Sequence, residues 1–257
     1  MAQQSPNTVS IIDKMRAVHE ESPFVVIFDC ESDTEFKQIA GMDRCAKMAR
    51  MQCTIACAIV IESKNCSKLS ADNQHALVHK YHFWRHESPG GKPPFDGLLW
   101  LFDRAEVIVA YNGLDFDFPL LRKHYTKKQR YMEHRLKCLD PFSRIRAATD
   151  QWFKLDVLLR TNDLPTKSGH GLLAIALYEQ GKYDDLKAYC EDDVELLMHL
   201  VLRDRVIVPD IGVVPAHLTS LVAAIASSRY PLRAAADVRA ATDARAAADP
   251  EEEFVVV

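Results

Sequence analysis

The chain has 257 residues, 48% of them hydrophobic and 26% charged. That is enough apolar material for a full core and fits one sizeable domain, alone or with an appendage; one globular domain is expected. A formal net charge of −4 and a pI of about 6.2 exclude a global positive field as the means of holding nucleic acid or an anionic membrane, so attraction for a polyanion has to be local.

Residues 1–21 read as an N-terminal extension without the basic, apolar, small-residue order of a secretory leader. No apolar run reaches the roughly 18 residues that span a bilayer. Seven cysteines, an odd number scattered among apolar positions such as Cys57 and Cys190, predict reduced thiols and no disulfides. The expectation is an intracellular protein, cytoplasmic or nuclear, with no membrane partner.

The run "FVVIFDCE" (24–31) predicts a buried strand, "QCTIACAIVIES" (52–63) a second, and "HKYHFWRHE" (79–87) a third, closed by the turn "SPGGKPP". Leu98, Leu99, Leu101 and Phe102 share a helical face in "FDGLLWLFDRA" (95–105), and "EVIVAYN" (106–112) follows as a fourth strand. From Phe118 to about Arg135 the pattern is helical and increasingly basic. "FKLDVLLR" is a short strand or a helix start, and Leu172 to Glu179 is helical up to the stop signal of Gly181. Asp184 and Asp185 suit the N-terminus of a last long helix, whose apolar residues recur at helical spacing to about Leu202. "VIVP" (206–209) adds a strand and ends a domain expected over 22–209. Residues 210–230 read as a C-terminal extension, and 231–257 as an Ala-rich, acidic tail that lacks a core-facing stripe and is expected to be disordered. Alternating strands and helices argue α/β or α+β.

The first strand ends on two carboxylates. Alternate residues of a strand share a face, so Asp29 and Glu31 are neighbours roughly 7 Å apart along the chain. Two like charges in a partly buried place are costly unless a cation or donors compensate, and divalent metal is the common solution. The plain alternative is a strand that emerges into solvent at Asp29. "YNGLDFDFPLL" follows the fourth strand at once, which puts Asp115 and Asp117 at or beyond a strand end, where open α/β sheets place their sites. In "YCEDDVELL", Tyr189 and Asp193 share one helical face. Taken singly, Asn112 and Asp117 suit turn chemistry, and Tyr189 with Asp193 an ordinary helix hydrogen bond.

In order, Asp29-x-Glu31, Asn112-x-x-x-Phe116-Asp117 and Tyr189-x-x-x-Asp193 resemble the three exonuclease motifs of the DEDD superfamily, and the tyrosine four before the last aspartate matches its DEDDy branch. The resemblance covers about residues 24–204. "LLWLFDRAEVIVAYNGLDFDFPLLRK" and "KSGHGLLAIALYEQGKYDDLKAYCEDDV" look like the exonuclease-like domains related to family B polymerases and those attached to some helicases. The resemblance implies an α/β, ribonuclease-H-like mixed β-sheet flanked by helices on both faces. It implies 3′–5′ exonuclease activity on the 3′ end of single-stranded DNA or RNA, exercised alone or for a polymerase or helicase partner. It also implies two divalent ions, Mg²⁺ or Mn²⁺: Asp29 bridges them, Glu31 and Asp193 serve the nucleophile side, Asp117 serves the other, and Tyr189 orients the attacking water. Oxygen ligands suit these hard ions better than zinc.

Within the motifs Asp115 competes with Asp117 and Asp192 with Asp193; the Phe-Asp pair and the following valine favour Asp117 and Asp193. Asn112, Phe116, Lys123 and Lys167 are the candidate substrate-binding residues, Asn112 having turn-holding as its stronger role. The rival functions are a binding or scaffold module of the same fold that has lost catalysis, and a structure-specific endonuclease.

"RKHYTKKQR" (122–130) is the densest basic stretch, a local phosphate contact or a solvated helix face. Lys167 and His170 stand in a polar loop ahead of the Tyr189 helix. Cys53-x3-Cys57 followed by His75-x3-His79 imitates zinc spacing, but with both thiols on one face of an apolar strand these read as core cysteines and strand histidines. No Gly-rich phosphate loop and no Gly-x-Ser-x-Gly turn occur, which disfavours a nucleotide-hydrolysing motor and a serine hydrolase.

Overall fold

A computed structural model describes residues 10–40, 43–69, 73–86, 95–166 and 171–228, without the side chains of Cys45, Gln74 and His75. Lys167, His170, the turn "SPGGKPP" and the 231–257 tail lie outside the described residues. The main sheet is built from β1 (Phe24–Ser32), β2 (Cys53–Glu62), β3 (Val78–Trp84), β4 (Val107–Val109) and β5 (Cys138–Leu139), in the spatial order β3-β2-β1-β4-β5. β1–β2 and β2–β3 pair antiparallel, β1–β4 and β4–β5 parallel. β1 and β2 are buried on both faces almost throughout, and their unbroken apolar runs reflect it: a central strand covered from both sides has no solvent face to fill with polar residues.

One face carries α1 (Ile11–His19), α2 (Arg44–Arg50), α4 (Asp96–Arg104), α5 (Asp117–Leu121) and α6 (Lys128–Leu136), which cover Val26, Phe28 and Ala58. The one-turn helix α3 (Gln74–Leu77) leads into β3. The other face, with Val25, Ile27, Ile55 and Ile59, lies under α7 (Pro141–Thr149), α8 (Leu155–Thr161), α9 (Gly171–Glu179) and the long α10 (Tyr183–Val201). Leu218 of α11 (Ala216–Thr219) and Leu221 and Ile225 of α12 (Leu221–Ser228) join that second core, so the segment after 209 packs with the sheet. No helix among the described residues is long and apolar enough to cross a membrane.

The run from Phe118 to Arg135 is not one helix. It divides into α5, a 3-10 turn at Arg122–His124, and α6. At the break Tyr125 takes extended backbone and its side chain enters the core, the hydroxyl 3.0 Å from His134 Nδ1 and the ring 5.1 Å from that of Tyr131. "FKLDVLLR" is helical, as α8. "VIVP" does form β6 (Val206–Val208), but in a separate two-stranded ribbon with β7 (Gly212–Val214). Cys53 and Cys57 do not share a face. The β1–β2 register shifts between Glu31 and Ser32, a bulge that inserts one residue of β2, so Cys53 faces the α4 side and Cys57 the α10 side. The six described thiols, Cys53 and Cys57 among them, are free and buried.

α1, inside the segment read as an extension, is firmly anchored. Met15 is buried, and His19 is 1% exposed with Nε2 2.8 Å from the Tyr81 hydroxyl. Burial, then the nearby His79, push the His19 pKa down to about 4. In the unfolded chain it returns to about 6.5, so between these values the unfolded state binds the extra proton and stability rises with pH. The contribution is complete above the unfolded value and is lost as pH falls through the folded one, up to about 3 kcal/mol. Urea midpoints are expected to fall from neutral pH toward pH 4, and to fall less in His19→Phe; an identical slope in that variant removes His19 as the cause.

Candidate active site

Asp29 and Glu31 follow Val25 and Ile27 on the face of β1 that α10 covers. β4 reaches only as far as Val109, opposite Ile27, so the end of β1 carrying the acids has no β4 ladder beside it. α10 crosses above them. The thiol of Cys190 donates to the Asp29 carbonyl at 3.6 Å, and ligand atoms of Asp29, Glu31 and Cys190 all lie within 4.8 Å of one another.

Asp117 arrives from the other side of β1 by a turn whose parts are individually accountable. Asn112 has φ 61°, left-handed backbone that asparagine tolerates. Its N–H and that of Leu114 donate to the buried carboxylate of Asp140 at 2.9 and 3.1 Å, while its carbonyl accepts from the N–H groups of Asp115 and Phe116. Gly113 is required by close approach: a β-carbon there would stand 2.3 Å from the Ala110 β-carbon. The turn starts α5 on Asp117, which is 2% exposed and accepts the Cys30 N–H at 2.9 Å. Cys30 stands between Asp29 and Glu31, so this bond fixes Asp117 against the acid pair. Asp115 is only half-buried.

On α10, Tyr189 and Asp193 are buried and Asp192 is exposed. Burial first, and then the charges of Asp193, Glu31 and Asp29, push the Tyr189 hydroxyl far above its ordinary value. Burial and then Asp29 raise the Asp117 carboxyl well above the usual carboxylate range, against the pull of the Cys30 N–H. An open groove of about 280 Å³ borders Tyr189 and Asp193, with Pro165, Thr166 and His199 on its walls.

The structure therefore brings the ligand atoms of Asp29 and Glu31 within 4.8 Å of each other, puts Asp117 and Tyr189 within electrostatic reach of Asp29, and puts Asp193 within reach of Tyr189. Asn112 holds the turn. The Phe116 ring packs against the core on the α4 side, and the ammonium of the exposed Lys123 donates to the Met51 carbonyl at 3.0 Å. In the basic stretch Arg130 is doubly bonded to Asp103, at 2.9 and 2.8 Å. Two residues escaped the sequence reading as members of this centre. Asp140, before Pro141 and three before Ser143, carries the signature of a helix N-cap with proline at the first position. Cys190 has no such signal, since a thiol on the buried side of a helix looks like any core cysteine.

The carboxylates of Asp29, Glu31, Asp140 and Asp193 act on Asp117 and Tyr189 in this centre, each pushing one or both groups toward the protonated form. Such a set is unfavourable by itself and suits a multivalent cation. Carboxylate oxygens fit Mg²⁺ or Mn²⁺, and the Cys190 sulfur, within 4.8 Å of the Asp29 and Glu31 ligand atoms, is one softer atom among them. The family model RNase_H_2, of the RNase_H superfamily, matches residues 66–203, more than half of the chain, including Asp117, Tyr189 and Asp193. Asp29 and Glu31 precede the matched stretch. No curated protein matches the chain.

Proposed function

We propose, for a chain that belongs to the RNase_H superfamily, that it is a metal-dependent 3′–5′ exonuclease acting on single-stranded DNA or RNA. The observation that carries this reading is the pairing of Asp29 and Glu31 at the open end of the parallel strand pair, with Asp117 held on the Cys30 N–H between them and Tyr189 of α10 acted on by Asp193, Glu31 and Asp29. The superfamily match supports phosphodiester hydrolysis, and the order of the three acidic motifs supports the exonuclease branch.

Two divalent ions, when bound, supply activation of water and stabilisation of the departing 3′ oxygen. Asp29 would serve both ions, Glu31 and Asp193 the one on the nucleophile side, and Asp117, its position fixed by the Cys30 N–H, the other. The Tyr189 hydroxyl, kept protonated by burial and surrounding negative charge, donates a hydrogen bond and orients the attacking water.

Oligonucleotides of DNA and of RNA, labelled at either end, test the reading. With Mg²⁺ or Mn²⁺, a 5′-labelled strand is expected to shorten one nucleotide at a time, and a 3′-labelled strand to release a labelled mononucleotide at the outset. Chelator stops both, and a circular single strand stays intact. Metal-independent hydrolysis, or binding without any hydrolysis, defeats the proposal; a cut circle moves the protein to the endonucleases.

A further inference from the structure

At the acid-bearing end of the sheet, β3 runs out into an aromatic cluster that the hydrolytic chemistry does not use. Glu31 pairs with Ile55 and Ile55 with Trp84, so Trp84 stands in the same row as Glu31, two strand spacings or roughly 10 Å away. Its ring centroid lies 5.1 Å from that of His86 and 5.5 Å from that of Tyr183. His86 and Tyr183 are 4.9 Å apart at an interplanar angle of 38°, and Tyr178 follows at 6.0 Å from Tyr183. Trp84 is the buried floor, 5% exposed. Tyr183 is 42% exposed and His86 is exposed too, so two tilted rings stand on a hydrophobic base and face solvent.

Arg85 ties this cluster to the acidic strand. Its guanidinium donates to Asp33, two residues beyond Glu31, at 3.2 Å and to the Tyr178 hydroxyl at 2.7 Å, and it lies 5.5 Å from the Tyr178 ring centroid. The surrounding charge selects what the surface accepts. Asp184 and Asp185 are exposed in the first turn of α10, next to Tyr183, and outnumber the exposed Lys182 on its other side, which disfavours phosphates there and leaves the neutral faces of bases as the fitting ligand. Every base has a π-face, so such stacking is indifferent to sequence, as a strand-shortening enzyme requires.

Resting on the nuclease reading, we propose that Tyr183 and His86 form a stacking platform for bases of a single strand within the first few nucleotides of the 3′ end held at Asp29 and Glu31. The platform orders the strand leading to the scissile bond. Binding measured by fluorescence anisotropy in chelator, where no hydrolysis occurs, tests it with an intact strand and one made abasic at the first few positions behind the 3′ end. Tyr183→Ala is expected to weaken the intact strand about tenfold. Tyr183→Phe retains parental affinity, which separates stacking from any loss of fold, and His86→Ala weakens the intact strand as well. The abasic strand binds the parent and Tyr183→Ala equally weakly. If both alanine variants bind the intact strand as tightly as the parent, or Tyr183→Ala loses as much on the abasic strand, the platform is refuted while metal-dependent hydrolysis stands. If the parent neither binds nor hydrolyses any strand, both readings fail together.

Discussion

Asp29→Asn is expected to lower the hydrolysis rate by on the order of a thousandfold or more while leaving the protein at least as stable as the parent. The two halves of this expectation have one cause. Asp29 shares its ligand-atom neighbourhood with Glu31 and Cys190 and acts electrostatically on both Asp117 and Tyr189, so it is the common member of the acidic group. Without cations its charge opposes that of Asp117, and neutralising it is expected to relieve that opposition. With cations it is expected to supply the attraction that several kcal/mol of transition-state stabilisation depends on. Single-turnover rates at saturating Mg²⁺ measure the loss. Thermal melting gives a readout independent of turnover: a ligand that binds the folded state raises the parent's melting temperature, and that metal-dependent rise is expected to vanish in Asp29→Asn. Asp192→Asn, altered at the exposed neighbour of Asp193, keeps both rate and metal response. An Asp29→Asn enzyme as fast as the parent removes Asp29 from the chemistry.

The parts of this arrangement that sequence makes legible are local to single elements. Asp29 and Glu31 share a face because strand periodicity is two, and the apolar residues before them identify the strand. Tyr189 and Asp193 share a face because helical neighbours are four apart. The choice between Asp192 and Asp193 is likewise a matter of helical phase against Leu186, Val194 and Leu197, all buried. What is not legible is pairwise. The bulge that turns Cys53 away from Cys57 exists only in the register of β2 against β1. β5 is two residues long and is a strand because β4 lies beside it, not because Cys138 and Leu139 form a pattern. Breaking the basic helix at Tyr125 is decided by a hydroxyl partner nine residues further on. The domain is expected from residue 22, yet buried Met15 and His19 hold α1 against it.

Asp140 is the clearest case of a residue that the site depends on without holding metal or substrate. Asp140→Ala is expected to cost about 3–5 kcal/mol and to reduce activity by displacing Asp117. Its carboxylate accepts four hydrogen bonds: Oδ1 from the N–H groups of Asn112 and Ser143, at 2.9 and 3.3 Å, and Oδ2 from the Leu114 N–H and the Ser143 hydroxyl, at 3.1 and 3.0 Å. Alanine leaves those donors without a partner where the side chain is fully buried, and removes the cap of α7. Burial raises the Asp140 carboxyl despite these donors, so part of what they contribute goes to holding an unfavourable charge. Asp140→Asn therefore loses less than alanine: its oxygen still caps α7 and accepts from Asn112, while its amide faces the Leu114 N–H as a second donor and forfeits that bond. Denaturant titration is expected to rank the proteins parent, Asp140→Asn, Asp140→Ala. Activity is expected to follow the same order at a temperature where all three are folded, because the turn from Asn112 to Phe116 sets where Asp117 meets the Cys30 N–H. If Asp140→Ala is destabilised but its folded fraction hydrolyses at the parental rate, the turn keeps its shape without the carboxylate and Asp140 acts on stability alone.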